Sequence, residues 1–185
     1  PAEIHKQRGQ IFDRLTIAAG IDHQIPIDRL RAGAAAAQAA DEAGFYCLQL
    51  AEHHQTPLNM VPVPSVFLGA VARVTRRIRL GTLVYLLPLY SPLRMIEEIS
   101  MLDHLSHGRL EVGVGRGVSP YELKFHKIEH QDSRDIFVDA FKCVSAGLVS
   151  DQLTYKGPYY EYDNVPIAMH PLQKPYPAFW YGSSG

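Results

Sequence analysis

The sequence predicts an α/β protein built on a parallel sheet. Three observations predict it. Apolar, β-rich runs alternate with helical stretches, and the connections between them are short. One run, LEVGVGRGVSP at residues 110–120, passes from an apolar strand straight into glycines flanking a single arginine. Strand ends of that kind lie on the ligand-facing side of α/β sheets.

Each element has its own signal. Residues 15–19 are the candidate first strand. Residues 32–43 are alanine-rich and read as a closely packing helix, with Gly44 as its stop. Residues 45–50 form a short apolar run, a buried strand. Residues 64–73 read as a helix with proline near its start. Residues 78–87 read as a strand ending at Pro88. Residues 92–105 place Leu93, Ile96, Ile99, Met101 and Leu102 near helical spacing, with Gly108 just beyond. Residues 110–114 are the next strand and 133–149 the next helix. Residues 153–162 carry Lys156, Gly157 and Pro158 between aromatics, a hairpin pattern. Residues 178–181 are one more strand.

Both an open, doubly wound sheet and part of a (β/α)8 barrel fit this order. A complete barrel takes about 250 residues, and about five strands are visible here. The last strand has no helix behind it, so residues 1–185 are expected to be one incomplete domain of a larger fold.

The chain is 46% hydrophobic with a formal net charge of -1, enough apolar material for a sizeable core. The near-neutral balance and the lack of a basic run argue against nucleic acid and against an anionic membrane as partners. There is no secretory h-region and no apolar stretch of membrane-spanning length. Cys47 and Cys143 are too few for a disulfide framework. They read as reduced thiols, Cys47 in the core, and a cytoplasmic setting is expected.

The candidate chemistry lies at strand ends. His53 and His54 follow the strand at 45–50, and a histidine there can take or give a proton near neutral pH. A histidine satisfied by local hydrogen bonds is the competing reading. Adjacent histidines on extended chain point apart, and no third ligand stands at useful spacing, so no metal site is expected. Arg116, between Gly115 and Gly117, is a candidate phosphate ligand, because guanidinium matches phosphate geometry and glycine lets backbone amides approach. A tight turn with a solvated arginine competes with it. The run is neither a dinucleotide fingerprint nor a P-loop. Ser183 and Ser184 follow the last strand and offer hydroxyls and amides to the same group. Arg94, Glu97, Glu98, Asp103 and Arg109 read mainly as structural, able to form ion pairs that fix the helix against the sheet, and Tyr155, Tyr159, Tyr160 and Tyr162 as hairpin packing.

Longer strings carry a resemblance. AEHH at residues 51–54, RIRLGTLVYLLPLYSPLR at 77–94, EEISMLDHLSHGRLEVGVGRGVSPYE at 97–122 and PLQKPYPAFWYG at 171–182 strongly resemble the bacterial luciferase-like flavin monooxygenases. The resemblance implies a (β/α)8 barrel, here a partial one, that dimerises and binds reduced FMN or, in some branches, F420. It implies a reaction of reduced FMN with O2 that oxygenates a small organic substrate, with a separate flavin reductase as partner. A non-catalytic FMN-binding flavoprotein and an F420-dependent oxidoreductase are the alternatives. By the same resemblance, His53 matches the proton-transferring active-site histidine and His54 its supporting neighbour. Leu83 and Val84 match a non-proline cis peptide beneath the flavin ring. Arg116, with Gly117 beside it, matches a phosphate-binding arginine, and Ser183 and Ser184 the next phosphate-contacting turn. Gly115 replaces a bulkier residue of the luciferases proper, which argues against light emission.

Overall fold

The structure is a computed structural model, and it describes residues 14–16, 27–56 and 61–182. In chain order come β1 (Arg14–Thr16), α1 (Ile27–Glu42), β2 (Cys47–Leu50), α2 (Pro64–Val74), β3 (Arg79–Thr82) and β4 (Tyr85–Leu86). There follow α3 (Pro92–Leu105), β5 (Leu110–Gly115), α4 (Pro120–Phe125), α5 (Ser133–Gly147), β6 (Gln152–Lys156), β7 (Glu161–Pro166) and β8 (Phe179–Tyr181).

The main sheet is parallel and runs β1-β2-β3-β5-β8, with β4 also paired to β5. Its strands lie in sequence order with no reversal. A doubly wound sheet needs a switch point where the order turns back, and none occurs among the described residues. The winding is that of a (β/α)8 barrel, and the described residues form an open part of one. No helix among them is long and apolar enough to cross a membrane.

Burial explains the strands. All four residues of β2 and all six of β5 are buried, as expected of parallel strands covered on both faces. Leu48, Leu80, Leu110 and Val112 pack with Leu68, Val71, Ile96, Ile99 and Val144 from the surrounding helices. Cys47 and Cys143 are both buried and form no disulfide among the described residues; Cys143 lies within this core, and burial pushes its thiol up to about 12. α3 keeps the expected bounds, with Met95, Ile96, Ile99 and Leu102 turned inward. Met101 is 52% exposed and leaves the predicted apolar face.

The expected strand at 78–87 is two pieces. β3 and β4 are separated by Leu83 and Val84, whose peptide bond is cis. Gly81 pairs with Glu111 and Tyr85 with Val114, so three residues, 82–84, stand opposite two, 112–113. The extra residue makes a bulge. α1 begins at Ile27, ahead of the expected start, because the alanine run is only its later part. β2 begins at Cys47 rather than at residue 45. Of the expected first strand at 15–19, residues 15 and 16 belong to β1, and residues 17–19 lie outside the described residues.

Three polar anchors set the helices on the sheet, and two of them, Arg109 and Asp103, are among the residues read as structural, though they bind backbone and amide groups rather than opposite charges. Asp41 at the end of α1 accepts the N–H groups of Arg76, Arg77 and Ile78 at 2.8, 2.8 and 2.6 Å. Arg109 donates to the carbonyls of Ala72, Thr75, Ile78 and Ser106 between α2, β3 and α3. Asp103 accepts from the backbone and side chain of Gln173. Arg94 and Glu97 do pair, but on the exposed face of α3. The hairpin is longer than predicted and docks on α5 through Asp139, which accepts from the Tyr155 hydroxyl and from the N–H groups of Tyr159 and Tyr160.

Candidate active site

Because the sheet is parallel, the carboxyl ends of β2, β4, β5 and β8 share one side. The chain after β2 gives Glu52, His53 and His54, and the chain after β5 gives Arg116 and Gly117. Ser183 and Ser184 follow β8 and lie outside the described residues. Gly182, just before them, donates its N–H to the carbonyl of Val114 at 3.1 Å, so the end of β8 stays beside that of β5.

The two histidines part company, as extended chain requires. His53 Nδ1 lies 3.1 Å from Oε1 of Glu122, which is buried at the start of α4. His54 Nε2 lies 2.5 Å from Oε1 of Glu52, which is also buried, and its ring meets that of His126 edge-on at 5.0 Å. The two histidines do not hydrogen-bond to each other among the described residues. The bond to Glu52 holds the His54 pKa above the ordinary histidine value, burial works against it, and the charges of Glu52 and Glu122 reinforce the rise.

Glu52 has a second task. Its Oε2 accepts the N–H of Leu86 at 3.1 Å, directly after the bulge. Burial first, and the Glu52 charge second, raise the phenol pKa of Tyr90, so that hydroxyl stays protonated. The Glu52 carboxylate therefore ties the histidine loop to the bulged strand.

The bulge presents Leu83, 41% exposed, while Val84 turns onto the end of β5. A Cβ on Gly115 would stand 2.6 Å from Val84 Cγ2, and one on Gly182 2.9 Å from Val84 Cγ1. This corrects part of the sequence reading. Gly113 and Gly115 are small because the neighbouring strand bulges against them, whereas Gly117, at φ +81°, makes the turn itself. Arg116 has no hydrogen-bond or ion-pair partner among the described residues. A guanidinium beside the Gly117 turn, on the strand-end side of the sheet, is able to take an anionic group. No group of three or more metal-binding side chains occurs among the described residues.

Sequence reasoning passed over Glu122 and the role of Glu52. A signal for Glu122 existed. Ser119, Pro120 and Glu122 make a capping-box start, and the Ser119 hydroxyl does accept the Glu122 N–H at 3.3 Å. The pairing of Glu122 with His53 spans 69 positions and has no local signature.

Comparison with known proteins bears on the family and the fold. Residues 8–185 match the profile of the luciferase-like monooxygenase family. Protein y4wF of Sinorhizobium fredii is 43% identical over 80% of this chain and 43% of its own length. The oxygenase component of the flavin-dependent trigonelline monooxygenase of Acinetobacter baylyi is 27% identical over 77% of this chain and 40% of its own. The chain thus spans less than half the length of either relative. Among solved structures, monooxygenase RslO1 of Streptomyces bottropensis superposes with a TM-score of 0.83 at 28% identity, over 90% of this chain and 51% of its own. Two further structures share the fold at lower identity. They are the Pseudomonas putida 3,6-diketocamphane monooxygenase with FMN (TM-score 0.74, 21% identity, 85% of this chain and 45% of its own) and an F420-dependent secondary alcohol dehydrogenase with an F420-acetone adduct (0.73, 19%, 91% and 50%). The profile match spans nearly the whole chain, and the chain belongs to the luciferase-like monooxygenase family.

Proposed function

We propose that this chain forms the cofactor-facing part of a monooxygenase that uses reduced FMN and O2 to oxygenate a small organic substrate. The observation that carries the reading is the placing of His53, held by buried Glu122, and of Arg116, without a partner among the described residues, on one side of a single parallel sheet. In this reading Arg116 and Gly117 take the FMN phosphate, and Ser183 and Ser184, next in sequence after β8, are its further ligands. Leu83 and Val84 give the ring an apolar seat. Bound reduced FMN supplies the electrons that activate O2. His53 holds and moves a proton beside that chemistry, and His54 with Glu52 fixes the neighbouring strand. The apolar seat keeps water from the reacting centre.

The trigonelline relative is an oxygenase component, which supports a separate reductase as the source of reduced flavin. It is flavin-dependent and more similar to this chain than the F420 structure, so FMN is preferred to F420. We further propose a cytoplasmic homodimer.

Titration of the whole protein with FMN and with F420, followed by fluorescence, tests the cofactor. Assay with FMN, a flavin reductase and NADH against a panel of cyclic ketones, alkenes and N-heterocycles tests the reaction. Product carrying one added oxygen atom, lost in His53→Ala while FMN still binds, is the expected result. FMN binding without product across the panel favours a carrier without turnover, and F420 binding alone overturns the assignment.

A further inference from the structure

The two adjacent histidines are held by different buried carboxylates, and the carboxylates take opposite ring nitrogens. Glu122 Oε1 faces Nδ1 of His53, and Glu52 Oε1 faces Nε2 of His54. An ionised carboxylate can only accept a hydrogen bond, so the hydrogen in each pair sits on the facing nitrogen. His53 therefore carries its hydrogen on Nδ1. Its Nε2 has no hydrogen-bond partner among the described residues, and its side chain is 32% exposed against 14% for His54. The free nitrogen is on the more open of the two rings.

We propose that Glu122 is a positioning residue that fixes His53 in the Nδ1–H tautomer, leaving Nε2 as the atom that takes up and returns the proton. This rests on reading His53 as the proton-transfer group. When a donor O–H in the site gives up its proton, an N–H bond forms at Nε2 and the electron pair stays on the donor oxygen. Nδ1 keeps its own hydrogen toward Glu122. The ring charge so formed lies 3.1 Å from a buried carboxylate, where opposite charges interact strongly. Return of the proton from Nε2 restores the starting state, with no other reactant.

The backbone supports this role. Glu122 stands in the same segment as Arg116. Ser119 caps the Glu122 N–H, and Gly117 packs against Leu123, which follows Glu122. One short stretch thus carries both Arg116 and the group that orients the histidine of another strand. His54 differs in both free nitrogen and exposure, since Glu52 takes its Nε2 and leaves only Nδ1, on the less exposed ring.

The test is long-range 1H–15N spectroscopy of the whole protein without cofactor, about two pH units above the ordinary histidine value. His53→Gln assigns the signals. Wild type should show His53 as Nδ1–H. Glu122→Ala should move it toward the Nε2–H form that free imidazole side chains favour, changing the tautomer ratio about tenfold, the value of one lost hydrogen bond. Glu122→Gln, whose amide oxygen still accepts, should keep Nδ1–H. If Glu122→Ala does not fold, Glu122→Met replaces it at similar volume. A merely structural Glu122 would lower the unfolding midpoint and leave the tautomer unchanged, which overturns the proposal, as does Nε2–H in wild type. FMN titration of the same samples separates the two readings. A wild type that binds no FMN but shows the tautomer switch loses the cofactor assignment and keeps the Glu122–His53 coupling.

Discussion

Gly113 and Thr82 are bonded twice through one hydroxyl. Thr82 Oγ1 donates to the Gly113 carbonyl at 2.8 Å and accepts the Gly113 N–H at 3.1 Å. A side chain on Gly113 would collide with the backbone carbonyl of Thr82, and that carbonyl has no freedom to move inside the sheet. Gly113→Ala should therefore destabilise by about 3 kcal/mol, the upper range for overpacking a core. Urea unfolding checks it. Gly44→Ala is a poor control because of its positive φ, so Ala70→Ser on the exposed face of α2 serves instead. An unchanged midpoint for Gly113→Ala would show that β3 and β5 can separate at no cost.

Arg116 is the side chain whose loss should be felt by ligand more than by fold. It has no partner among the described residues to leave stranded. Charge-assisted hydrogen bonds to an anion are worth about 1.5–3 kcal/mol. Arg116→Ala should weaken FMN binding about 10- to 100-fold and leave the thermal midpoint near that of wild type. Fluorescence titration and a melting curve read the two separately. Equal FMN affinity in both proteins would remove Arg116 from the phosphate site.

Much of this was legible beforehand, for reasons that differ by element. α3 and the β5 run are visible because helical spacing and unbroken apolar strands are local properties. The histidines and Arg116 are visible because they sit at strand ends, which a parallel sheet brings to one side. The break at Leu83 and Val84 was hidden in composition, since Leu, Val and Tyr all favour strand. The family resemblance points to the cis peptide there, and the bulge shows in the register, where 82–84 face 112–113. The glycines of β5 were half understood. Their smallness makes room for a neighbouring strand as well as for a ligand. Asp41, Asp139 and Glu122 act across long sequence separations, and no local pattern announces such a partner.

Asp41 should make α1 an acid-sensitive element. Burial is the largest single influence and raises its pKa, but the N–H bonds from Arg76, Ile78 and Arg77 together outweigh it, and the net shift is downward. A carboxyl lowered in the folded state adds stability above its unfolded pKa, about 3.9, and loses it as pH falls through the folded value. Asp41→Asn should cost about 1–3 kcal/mol near neutral pH. The gap from wild type should hold down to about pH 4 and narrow below it. Denaturant midpoints at several pH values would show this. A gap that widens in acid would contradict the sign.

His54 should give the opposite slope. Its pKa is raised, first by the bond to Glu52, so its pairing adds stability that is fully present below the unfolded value of about 6.5. That stability fades as pH rises through the folded value. Wild type should therefore lose thermal stability between neutral and alkaline pH, and Glu52→Gln should show a flatter profile over the same window. The variant also weakens the bond to the Leu86 N–H, and that loss does not depend on pH, so it lowers the whole curve without tilting it. The slope, not the offset, reports the histidine. Parallel curves for the two proteins would mean that the 2.5 Å contact carries no charge near neutral pH.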